Sequence, residues 1–142
     1  MIPPEVFLDT AFALALTNRN DLLHARAVLL ADQLEAAHTR LITTRAVLLE
    51  IGNSLAKLRY RTASVQLLLS LEADPNVEIV PLSDDLYDRA FQLYQQRPDK
   101  EWGLTDCISF VVMQDRGLTD ALTPDKHFQQ AGHRALLRDA IA

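Results

Sequence analysis

Short β-rich apolar runs recur along this chain, and the intervals between them carry helical spacing. Val6-Phe7-Leu8 is continuous and apolar and stops at Asp9. It is too short for a helix and suits a strand buried on both faces. Arg40-Leu41-Ile42-Thr43, Val77-Glu78-Ile79-Val80 and Asp120-Ala121-Leu122-Thr123 read the same way, and Arg134 to Leu137 gives a fifth, weaker strand. Helices are expected from Thr10 to Leu16 and from Asp21 to His38. A third, capped by Thr44, runs to about Leu58 with Val47, Leu48, Ile51 and Leu55 on one stripe. Others span Thr62 to Leu71, Ser83 to Gln95, and a stretch opened by Thr105 or Asp106 and closed by Gly117. A short one runs from Asp125 to Gln130. Strands separated by helices need crossover connections, so the predicted class is α/β, with a central, mainly parallel sheet of four to five strands covered on both faces.

No repeat, low-complexity tract or Gly/Ser linker interrupts the 142 residues, which predicts a single domain over 1–142. Fourteen Lys and Arg against nineteen Asp and Glu leave a formal charge of −5, which excludes a generally basic nucleic-acid coating but not a local patch. Cys107 is the only cysteine, so there is neither a disulfide framework nor a cysteine zinc site, and a buried, inert thiol is expected. The start lacks the basic head and apolar run of a signal peptide, and Ala11 to Leu16 is too short to span a bilayer. A cytoplasmic protein without membrane contact is expected.

In a parallel sheet, ligands bind at the carboxyl ends of the strands. Asp9 directly follows the first strand, and Asp125 follows the fourth just beyond Thr123-Pro124. Asp106 opens a helix that can face the same edge. Glu50 interrupts the apolar run Val47-Leu48-Leu49-Glu50-Ile51, where a buried charge would need a partner. Singly, each has a structural explanation: Asp9 as a cap, Asp106 as a helix-dipole partner, Asp125 as a turn residue, Glu50 as a solvent-facing charge. Together at one edge they would repel unless a divalent cation lay among them, and Mg²⁺ or Mn²⁺ prefers such oxygen ligands.

The pieces Phe7-Leu8-Asp9-Thr10-Ala11, Thr43-Thr44, Leu49-Glu50-Ile51-Gly52-Asn53, Leu104-Thr105-Asp106-Cys107 and Ala121-Leu122-Thr123-Pro124-Asp125-Lys126-His127-Phe128 occur in an order and spacing that span almost the whole chain. In them the chain resembles a PIN domain, most closely the VapC-like toxin branch. The resemblance implies a three-layer α/β/α fold and a Mg²⁺- or Mn²⁺-dependent ribonuclease. It gives the metal-site and catalytic roles to Asp9, Glu50, Asp106 and Asp125, with Thr10, Asn53 and Thr105 as polar neighbours. It further implies an RNA substrate, a cognate antitoxin and a homodimer. Pro124 before the last acid is a departure from the family's usual pattern.

Residues 40–61 hold Arg40, Arg45, Lys57, Arg59 and Arg61 against Glu50, whereas residues 72–88 hold six acids and no base. Lys57-Leu58-Arg59-Tyr60-Arg61 mixes cations with an aromatic ring, which suits RNA phosphates and a stacked base, or else a solvated helix C-terminus. Lys126 and His127 read as phosphate contacts or a surface pair. His24, His38 and His133 lack metal-ligand spacing and read as structural. Trp102 and Phe12 suit core packing, or a pocket wall or dimer patch. A competing reading is a catalytically degenerate nucleic-acid-binding or regulatory module. Other phosphate-handling folds fit less well: Ala11 stands where a haloacid-dehalogenase-type phosphatase has its second Asp, and Asp9-Thr10-Ala11-Phe12 is no glycine-rich dinucleotide turn.

Overall fold

The structure is a computed structural model and describes residues 2–138. Its elements are β1 (Glu5–Leu8), α1 (Thr10–Thr17), α2 (His24–Ala36), β2 (Arg40–Thr44), α3 (Arg45–Ser54), α4 (Leu58–Ala73), β3 (Val77–Val80), α5 (Asp84–Gln96), α6 (Leu104–Arg116), β4 (Asp120–Leu122), α7 (Lys126–Gln130) and β5 (Arg134–Ala135). The five strands form one sheet in the order β3-β2-β1-β4-β5, every pair parallel. By the right-handed rule for parallel crossovers, this strand order puts α1 to α4 on one face and the return through α5 and α6 on the other, which makes three α/β/α layers. Central strand β1 is buried from Val6 to Leu8, which explains why its sequence is a continuous apolar run rather than an alternating one.

Local chemistry sets most element boundaries as the sequence suggests. The Thr44 side chain accepts the Val47 N–H at 3.1 Å and starts α3, and Ser83 accepts the Leu86 N–H at 3.1 Å and starts α5. Gly117 ends α6 with φ +64°, where a β-carbon would be strained. Several boundaries differ from expectation. The Asp21 carboxylate takes the Leu23 N–H at 2.8 Å, and this local turn delays α2 to His24. Leu104, not Thr105 or Asp106, opens α6, with Gly103 at its N-cap. The helix expected to reach Leu58 stops at Ser54, and α4, expected from Thr62, starts at Leu58. Arg61 holds that corner by donating from Nε and Nη2 to the Ala56 carbonyl at 3.2 and 2.7 Å. Lys57, Arg59 and Arg61 therefore open a helix rather than close one. At that end the helix dipole disfavours cations, so the solvated C-terminus explanation falls away.

An aromatic cluster fixes the elements under the carboxyl edge. Phe128 of α7 lies with its ring centroid 4.9 Å from Phe110 of α6, edge to face, and 6.3 Å from Phe7 of β1. Trp102 meets Phe110 edge-on at 5.0 Å. Cys107 is buried beside them, and burial pushes its thiol up to about 11, so it is not a nucleophile.

At the opposite edge, His38 terminates α2 in the left-handed region with φ +54°. Its N–H bonds the Glu35 carbonyl and the Thr39 N–H bonds Leu34, the paired bonds of a Schellman end. A β-carbon at that φ costs about 1 kcal/mol. His38→Gly is expected to raise stability by about 0.5–1 kcal/mol, read as a higher urea midpoint with an unchanged slope.

Candidate active site

The chain leaves β1 toward β2 and β3, then returns to β4 on the other side of β1. The crevice beyond the carboxyl ends of β1 and β4 is therefore the topological switch point, where an open parallel sheet leaves room for a ligand. Asp9 follows β1 there and is only 6% exposed. Its carboxylate makes no side-chain cap to α1; it accepts the Thr123 hydroxyl at 2.9 Å. Burial lifts its pKa to about 7, hydrogen bonds from Thr123 and the Thr10 backbone oppose the rise, and the charges of Asp106 and Glu50 add to it.

Asp106 is the third residue of α6, and its carboxylate reaches back to accept the Gly103 N–H at 3.1 Å. Burial raises its pKa, the Gly103 N–H offsets part of that, and Asp125 pushes it up again. Asp125 caps α7 by accepting the His127 N–H at 2.8 Å. The His127 Nδ1 then lies 3.2 Å from Asp106 and 3.4 Å from Asp125. Ligand atoms of these three residues fall within 4.8 Å of one another. Pro124 leaves this geometry intact.

Glu50 joins from α3, close enough to act electrostatically on Asp9. Of the two readings its apolar neighbours allow, the solvent-facing one holds. Ala46, Val47, Leu48 and Ile51 face the core, and the helical period turns Leu49 and Glu50 outward. The four predicted acids thus converge on one edge: Asp106 and Asp125 share His127, while Asp9 sits deeper under Thr123.

The PIN domain family model matches residues 6–134. The chain belongs to the PIN domain family. The VapC20 protein of Mycobacterium tuberculosis strain CDC 1551 / Oshkosh, named as a 23S rRNA-specific endonuclease, is 25% identical over 127 residues, covering 89% of this chain and 94% of that protein. The crystal structure of M. tuberculosis VapC20, described as a sarcin-ricin loop cleaving toxin, superposes with a TM-score of 0.79 at 26% identity, covering 90% of this chain and 95% of that one. FitAcB from Neisseria gonorrhoeae shares the fold with a TM-score of 0.64 at 19% identity, over 92% of this chain and 94% of that one.

The donor set of this PIN domain fits a hard divalent cation. It is rich in carboxylate oxygens, and its deepest member holds its proton too tightly for an ordinary acid. Beside Asp9, the buried Thr10 hydroxyl has no hydrogen-bond partner among the described residues, an orphan that a ligand could satisfy. Thr105 is half-buried at the start of α6, and Asn53 is exposed three residues beyond Glu50. Lys57, Arg59, Arg61 and Lys126 are all exposed, with the Arg59 guanidinium 4.8 Å over the Tyr60 ring.

Two residues outside the predicted site matter to it. His127, read from sequence only as a phosphate contact or surface residue, bridges two acids. Thr123 donates to Asp9 and accepts the Asp125 N–H at 3.1 Å, linking acids 116 positions apart through one hydroxyl. The residue order Thr-Pro-Asp at a strand end was the available signal for that turn. Thr123→Val removes both bonds at nearly constant volume. It is expected to raise the Asp9 pKa further and cost about 1–3 kcal/mol. Urea unfolding across pH checks both.

Proposed function

We propose that this chain is a metal-dependent endoribonuclease that hydrolyses RNA phosphodiesters and serves as the toxin of a toxin–antitoxin pair. The observation that carries this reading is Asp9, buried at the switch point with its pKa at about 7 beside Asp106 and Glu50. Such an arrangement of acids has little structural value and a clear chemical use. Asp9, Glu50, Asp106 and Asp125 are the proposed ligands and catalytic carboxylates. A bound Mg²⁺ or Mn²⁺ supplies Lewis-acid stabilisation of the phosphate and a more acidic water. His127 holds Asp106 and Asp125 in register. The Thr10 hydroxyl, free to donate, orients a water or a phosphate oxygen, with Thr105 and Asn53 completing the polar rim.

Lys57, Arg59 and Lys126 supply charge for the RNA backbone, and Arg61 adds to it from the corner that it braces. Their position at helix starts supports this role, since the dipole gives cations nothing there. The resemblance to VapC20 supports RNA as substrate and makes ribosomal RNA the first to try. A cognate antitoxin, a homodimer, a cytoplasmic location and a single working domain over 1–142 belong to the same reading. No helix among the described residues is long and apolar enough to cross a membrane.

The test is cleavage of ribosomal and single-stranded RNA by purified protein with Mg²⁺ or Mn²⁺, with chelator, and with Asp106→Asn. Metal-dependent cutting that falls roughly 10²–10³-fold or more in the variant is expected. Cutting that survives chelator or the variant places the chemistry elsewhere. Binding without cutting favours the degenerate module.

A further inference from the structure

A cleft of about 350 Å³ lies between the end of α5 and the two helices that carry the acids. That volume falls in the range of small-ligand sites, ~300–1,000 Å³. The cleft is separate from the metal-site acids but shares their supports. Phe110 in its wall lies one turn along α6 from Asp106, a rise of about 6 Å. Gln130 in its rim ends the helix that Asp125 begins.

The lining is planar and polar as well as aromatic. The Arg97 guanidinium lies 5.1 Å over the Trp102 ring. Asp99 fixes it there through two bonds of 3.0 Å, from Nε and Nη2. The Trp102 indole donates to Gln130 Oε1 at 3.0 Å, which orients the amide. The Gln130 amide nitrogen has no partner among the described residues, and the side chain is exposed. His133 stacks with Phe110 at 5.9 Å. Burial lowers the imidazole's pKa against a bond donated to the Leu118 backbone, and the neutral ring leaves its other nitrogen as an acceptor.

We infer that this cleft, formed by Arg97, Trp102, Phe110, Gln130 and His133, takes one unpaired nucleobase of the RNA next to the cut and helps to choose where the chain is cleaved. An aliphatic side chain would use neither the exposed guanidinium face nor the remaining Gln130 donor and His133 acceptor. A splayed-out base offers a π-face to the Arg–aromatic stack, an acceptor to the Gln130 amide and a donor to His133, the manner in which proteins read single-stranded RNA. The spacing from Asp106 is on the scale of one nucleotide. The inference rests on the nuclease reading for its meaning, but not for its test.

Trp102 is the chain's only tryptophan, so its fluorescence reports this cleft alone. The probes are the four nucleoside 5′-monophosphates in excess chelator, with ribose 5-phosphate as the base-free control. Saturable quenching by at least one nucleotide, with ribose 5-phosphate at least tenfold weaker, is expected. Asp106→Asn should keep this quenching. Arg97→Ala and Gln130→Ala, each checked for native near-ultraviolet circular dichroism, should weaken it at least tenfold. In RNA cleavage the same two variants should raise KM or shift the preferred cut site while kcat stays within threefold. No saturable quenching, equal response to ribose 5-phosphate, or quenching unchanged in both variants overturns the proposal. Base-dependent quenching with no RNA cleavage would uphold the cleft and sink the nuclease reading. Metal-dependent cleavage without quenching would do the reverse.

Discussion

Asp9→Asn is expected to make the metal-free protein more stable at pH 8, while removing its activity. The Asp9 carboxyl titrates at its ordinary 3.8 in the unfolded chain and at about 7 in the folded one. Folding therefore favours the protonated form. Below pH 4 both states carry the proton and Asp9 imposes no penalty. As pH rises toward 7, the unfolded chain releases its proton freely and the folded chain does not, so stability is lost. Past pH 7 the penalty is complete, roughly 4 kcal/mol. Asn carries no charge to bury, and its carbonyl can accept the Thr123 hydroxyl. Urea unfolding in chelator should show the variant ahead by about 2–4 kcal/mol at pH 8 and level with the parent at pH 4. A divalent cation should close the gap by stabilising only the parent. A variant that is less stable at every pH would show that the Asp9 charge is compensated within the fold.

Phe128→Ala should have the largest effect on folding. The ring is fully buried against Phe7 and Phe110 and is the one buried side chain of α7. Truncation opens a large cavity at about 3–5 kcal/mol. For a domain of this size that is a fall in Tm of roughly 10–20 °C. The damage should also be local. Without the ring, the five-residue α7 has little to seat it, and Asp125 and His127 lose their position against Asp106. Leu30→Ala in α2 is the comparison, since it removes a buried side chain on the other face of the sheet. Both variants should lose stability, but only Phe128→Ala should lose cleavage at temperatures where the protein is folded. Equal activity in the two would mean that α7 holds its place without its anchor.

Much of the architecture was legible because each level of the sequence pointed the same way. Val6-Phe7-Leu8 had to be a central strand, since only burial on both faces tolerates three such residues in succession. Thr44, Ser83 and Gly117 marked helix ends through chemistry confined to a few residues. The misreadings came where a distant or competing contact decided. Arg61 bonding back to Ala56 moves the break between two expected helices back to residues 55–57, and no periodicity reveals that bond. The apolar neighbours of Glu50 leave a buried and a solvent-facing charge both open, and the turn of the helix puts it outside. The edge rule found the acids, since each follows or faces a strand end. It could not find Thr123 or His127, whose importance lies in what they touch across the crevice.

The Asp9–Thr123 bond joins residues 114 positions apart, and β1 pairs with β4 only after β2 and β3 have been made. A growing chain therefore carries Asp9 long before it has Thr123 to set beside it. Premature release yields a fragment without Asp125, His127 or the hydroxyl that seats Asp9. For the proposed ribonuclease, this order of assembly withholds the full set of acids from a nascent chain until β4 and α7 have been made.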